Sequence, residues 1–188
     1  MPLSIVSGWR EERSRDGRAR GYVVILMAPP AGEIAQKLAA ISDGDADHAL
    51  WELRYAMRAI GILVAERDAL DDRTSSDVVA ALGVALQTDP NVAPDRRAIA
   101  ERQLNDRLRG YRAALADRGA AGGTSARLGR VLLSFARTTT QDDAAVAFAA
   151  DVIATMITMC NGALRTAYGE VNLPPDVVPS ALRKRPGK

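Results

Sequence analysis

Most of the residue types that carry chemistry are scarce in this chain. Its 188 residues include one cysteine, Cys160, so no internal disulfide can form, and one histidine, His48. Metal sites built on nitrogen and sulfur need several such ligands, and a nucleophilic triad needs an imidazole base beside an activated nucleophile. Neither can be assembled here. A G-x-x-x-x-G-K-[ST] loop, a G-x-G-x-x-G turn after a strand and a G-x-S-x-G elbow are all missing. The sequence therefore predicts no cofactor, no metal and no catalytic residues, and a protein that is more plausibly not an enzyme.

Aromatic residues make up only 4%, which leaves Ala, Leu, Val, Ile and Met to build the core, a palette that favours helices. Lysine is nearly absent as well. Of 25 basic residues only Lys37, Lys184 and Lys188 are lysine, an Arg-rich, Ala-rich usage resembling GC-rich bacterial coding. With a lone cysteine inside an apolar run, a reducing, cytoplasmic location is expected. The arginines before "YVVILMA" suggest a signal peptide at first sight, but the apolar part is only seven residues and runs into Pro29 and Pro30.

Charge is unevenly placed. Residues 31–93 hold 5 bases and 11 acids, whereas residues 94–188 hold 15 bases and 9 acids. Such polarity is satisfied inside one fold or between copies, and it points to an acidic partner for the second half.

The expected fold is mainly α: a bundle of about six helices over 31–170, preceded by an N-terminal β-hairpin arm (1–30) and followed by a Pro-rich basic tail (171–188). The hairpin rests on two apolar runs around Asp16-Gly17, a pair suited to a type I′ turn. Helices are expected over 32–41, 46–70, 76–87, 95–118, 124–138 and 141–168 from apolar residues recurring at three and four. "DVVAALGVAL" has the rhythm of a helix-turn-helix, but Pro90 and Pro94 stand where a recognition helix should follow. "DGDADHALWE" begins like a calcium loop at Asp43, Asp45 and Asp47. His48 then replaces the required glycine and Arg54 the bidentate glutamate, so an acidic helix start explains it better.

The run "AAVAFAADVIATMITMCNGAL" carries one carboxylate, Asp151. On a helix Ala144, Ala147, Asp151, Thr155, Thr158 and Gly162 share a small, polar face, with apolar faces on either side. A membrane span with a mid-helix Asp, two Thr and an Asn is disfavoured. The expectation is a central bundle helix whose small stripe allows close approach of a neighbour, with Asp151 paired to Arg130 or Arg137 across an antiparallel helix pair.

Two functions remain. The first is a non-enzymatic, self-associating helical assembly or protein-interaction module that uses the hairpin and tail to reach a homo-oligomer or protein partner. The alternative is a nucleic-acid-associated protein whose Arg102, Arg109 and Arg112 form a stripe on the helix over 95–118.

Overall fold

The computed structural model describes residues 3–68, 72–117, 123–138 and 141–169, with side chains from residue 13 onward other than that of Asp72. Seven α-helices lie in this part: α1 (Leu3–Leu26), α2 (Gly32–Ala40), α3 (Ala46–Asp68), α4 (Asp72–Gln87), α5 (Arg97–Ala116), α6 (Thr124–Phe135) and α7 (Asp143–Tyr168). A 3-10 turn at Pro94–Arg96 leads into α5. The helical bundle is as expected. The tail over 171–188 lies outside the described residues.

The N-terminal hairpin is corrected: no strand occurs among the described residues, and its two candidate strands are parts of α1. Asp16 and Gly17 sit inside the helix, where Asp16 pairs with Arg20 one turn on. The reason is tertiary. As a helix the segment places Ala19, Tyr22, Val23 and Leu26 on one buried face, at steps of three and four, which a hairpin would divide between two faces. Burying Tyr22 and Leu26 outweighs the helix cost of Gly17 and Gly21, about 1 kcal/mol each.

The helix at the centre is α3. From Glu52 to Ala65 nearly every residue is buried, and α3 packs against every other helix of the bundle. "AIGILVA" at 59–65 is apolar all round, as a helix surrounded by others requires. Gly61 lets α1 in close: a Cβ there would lie 2.2 Å from Leu26 Cδ2, and Tyr22 donates a hydrogen bond to the Gly61 carbonyl at 2.9 Å. Burial raises the Tyr22 hydroxyl pKa and pushes the Cys160 thiol beside it up to about 11, so Cys160 is a packing residue.

The role expected for α7 is corrected too. Its faces divide as the sequence suggests, with Val152, Ile153, Met156, Cys160 and Leu164 in the core. However, Ala144, Ala147, Asp151, Thr155, Thr158 and Gly162 all face solvent. Close approach occurs elsewhere, at Gly129 of α6, whose added Cβ would stand 2.8 Å from the Ala150 backbone nitrogen. By length and composition α7 is the one described helix able to cross a membrane; here 39% of its apolar stretch is buried in the bundle, and Met159 stays exposed. Asp142 caps it, its side chain accepting the Ala145 N–H at 2.8 Å.

Candidate interaction surface

With Asp151 exposed, a buried pair to Arg130 or Arg137 has no basis, and no ion pair joins these residues among those described. A carboxylate facing water needs no partner. Arg130 and Arg137 are exposed as well. Arg137 has a left-handed backbone, φ 58°, because it closes α6 in a Schellman turn: its own N–H bonds to the Ser134 carbonyl, and the Thr138 N–H bonds to Leu133 at 3.1 Å.

The α5 stripe is real as geometry. Arg102, Arg109 and Arg112 are all exposed on one side of the helix. Two of them are partly neutralised: Arg109 pairs with Asp106 on α5, and Arg112 pairs with Glu66 on α3. Arg107, by contrast, turns inward.

Buried charge lies where no local pattern announces it. Glu52, only 2% exposed, takes a two-pronged pair from Arg107, with Nε to Oε2 at 3.0 Å. The guanidinium is held between the rings of Tyr55 and Phe135, 5.2 and 4.7 Å from their centroids. Burial disfavours the charge on Arg107, but the Glu52 pair more than offsets this and holds its pKa above the usual value. A second pair ties α3 to the loop after α4. Arg58 Nη2 meets Asp89 Oδ2 at 2.7 Å, with exposures of 2% and 1%. Asp89 also accepts from the Asn91 backbone N–H at 2.9 Å and side-chain amide at 2.8 Å. Burial alone would raise the Asp89 pKa; these hydrogen bonds and Arg58 hold it below the usual carboxylate value.

One outer surface departs from the charged character of the rest. Arg15 of α1 meets Asp77 of α4 at 2.8 Å, and from that point the two helices run side by side. Between them lies a groove of about 650 Å³, with Val23, Val24 and Met27 on one wall, Ala80, Ala81 and Val84 on the other, and Asp16, Arg20, Asp77 and Asp89 also in its lining. Residues 78–88 contain no charged side chain, yet α4 turns Ser76, Val79, Ala80, Gly83, Val84 and Gln87 to solvent. Val84 is 70% exposed, Val24 67% and Val79 47%. Exposed valines around a groove, on a helix face three turns long without charge, have the composition of an interface core. In sequence the run reads as core, so only its placement reveals the surface. No family model, no curated protein and no solved structure gives a significant match to this chain.

Proposed function

We propose that the chain is a non-enzymatic helical module that associates with a second copy of itself through α4 and the α1/α4 groove. The observation that carries this is the exposed face of α4 over residues 78–87, which holds no charge and is complementary to itself. Set antiparallel about a two-fold axis between Ala81 and Leu82, α4 brings Val79 opposite Val84 of the second copy, Ala80 opposite Gly83, and Ser76 opposite Gln87. Valine knobs meet valines, the two smallest residues meet at the axis, and a polar pair closes each end. Each α4 then lies over the partner's groove and its Val24, so that the α1/α4 layers of the two copies stack face to face across the axis. Covering the exposed part of each valine contributes about 1 kcal/mol, and the cost of association leaves a dimer in roughly the micromolar range.

A paired cysteine variant, Ala80→Cys/Gly83→Cys, tests the register. Small residues bring helix axes to about 8 Å, close enough for Cα atoms to reach disulfide distance. Mild oxidation should give a disulfide-linked dimer, while a control with cysteines at Arg102 and Arg109 should give none. A monomer under oxidation, or equal cross-linking in the control, would refute the interface. The other reading, nucleic-acid association through Arg102, Arg109 and Arg112, asks Arg109 and Arg112 to exchange their carboxylate partners for phosphates. Its signature is material absorbing at 260 nm that leaves the protein at high salt.

A further inference from the structure

A second feature lies away from the α4 face. At the N-terminal end of α3 is a pocket of about 290 Å³, bounded by α3, α5 and the Schellman turn after α6. Its size is at the small end for ligand sites, fit for a compact metabolite and too small for a nucleotide. The inner wall is fixed. Glu52 is committed to Arg107, and the Tyr55 hydroxyl bonds to Gln103 Oε1 at 2.8 Å. His48 donates from Nε2 to the Phe135 carbonyl at 3.1 Å, which leaves Nδ1 as an acceptor in the neutral ring. Asp45 is used as the α3 cap, its Oδ1 accepting the N–H groups of Asp47 and His48, both at 3.0 Å.

After these internal commitments Asp47 and Arg137 remain on the lining with neither a side-chain hydrogen bond nor an ion pair among the described residues, and Asp45 keeps its charge and its Oδ2 beside its capping role. Most of the open lining is polar: Trp51 and Tyr55, ring centroids 5.7 Å apart, already stack with Arg54 and Arg107 at 4.7 and 5.2 Å, and Gln103 has amide N–H groups to offer. A ligand that answers all of this carries a carboxylate for Arg137, an ammonium for Asp47 and a polar side chain for Gln103 and His48 Nδ1.

We propose that this pocket binds a free α-amino acid, with Arg137 holding the carboxylate and Asp47 the ammonium group. The test uses the full chain, titrated calorimetrically with each proteinogenic L-amino acid at up to about 5 mM, a range that resolves millimolar affinities. At least one polar amino acid should bind saturably, and its N-acetyl and methyl ester derivatives should each bind at least tenfold more weakly. Asp47→Asn should abolish the preference for the free amine over the N-acetyl form while keeping the preference for the free carboxylate; Arg137→Gln should do the reverse. Both side chains are exposed, so thermal midpoints close to that of the parent show that each variant is folded. Failure of every amino acid to bind would overturn the assignment, as would equal binding of the free and blocked forms by the parent.

Discussion

Replacing Asp89 by alanine removes one carboxylate that accepts three hydrogen bonds: one from Arg58 at 2.7 Å and two from Asn91 at 2.8 and 2.9 Å. The larger consequence falls on Arg58. That guanidinium is 2% exposed, its Nε and Nη1 are buried with no hydrogen-bond partner, and among the described residues Asp89 is its only ion-pair partner, with the Trp51 ring 6.0 Å away on one side. Stranding a buried charge costs about 3–5 kcal/mol, a large part of the roughly 5–15 kcal/mol that holds a domain folded. With a urea slope of about 2 kcal/mol/M, the midpoint should fall by about 1.5–2.5 M. The assay is urea unfolding followed by far-ultraviolet circular dichroism at neutral pH. Arg58→Met added to Asp89→Ala should recover more than half of the loss, because an apolar side chain needs no counter-charge. A loss below about 1 kcal/mol for Asp89→Ala, or no recovery in the double variant, would refute the reasoning.

Other expectations follow from single positions. Gly17 has open space where a Cβ would stand, so Gly17→Ala should raise stability by about 0.5–1 kcal/mol if α1 is a helix; a type I′ turn would lose stability instead, and thermal unfolding reads the sign. Gly129→Ala must push α6 from α7 against backbone atoms at 2.8 and 3.0 Å, and should cost about 1–3 kcal/mol in the same measurement. Arg137→Gly relieves a left-handed non-glycine residue and should stabilise the fold by up to about 1 kcal/mol while removing the proposed carboxylate contact. Because the Asp89 pKa is held below its ordinary 3.8, its contribution is present above that pH and disappears as the pH falls through the depressed value. The urea midpoint of the parent should therefore drop on acidification below about pH 4 by more than that of Asp89→Asn.

Helices α2 to α7 could be read from apolar residues at three and four and from capping residues, because their buried faces are continuous in sequence. The arm was misread for a local reason. Asp16-Gly17 and the β-branched run at 23–25 favour a hairpin, whereas the helix is selected by contacts of Tyr22 with Gly61 and Arg15 with Asp77, far away in the chain. For α7, spacing separates the faces, and the lone carboxylate marked the wet one; reading the small stripe as a packing seam reversed it. The seam belongs to Gly129, which no pattern in α6 distinguishes. Glu52 with Arg107 and Arg58 with Asp89 join separate helices or loops, so nothing within a window reveals them. The surface proposed for self-association was hidden differently: an apolar run reads as buried until the fold shows which side of α4 is covered.

Solution mass is the most direct measurement of the central proposal. Light scattering behind size exclusion, across protein concentrations and at low and high salt, would be compared between the parent and Val79→Asp/Val84→Asp, with absorbance at 260 and 280 nm recorded together. Self-association through α4 predicts a parent dimer that persists at high salt and dissociates on dilution, with the double aspartate variant monomeric and fully helical. A parent that stays monomeric at high concentration, or a variant that dimerises as the parent does, would contradict it.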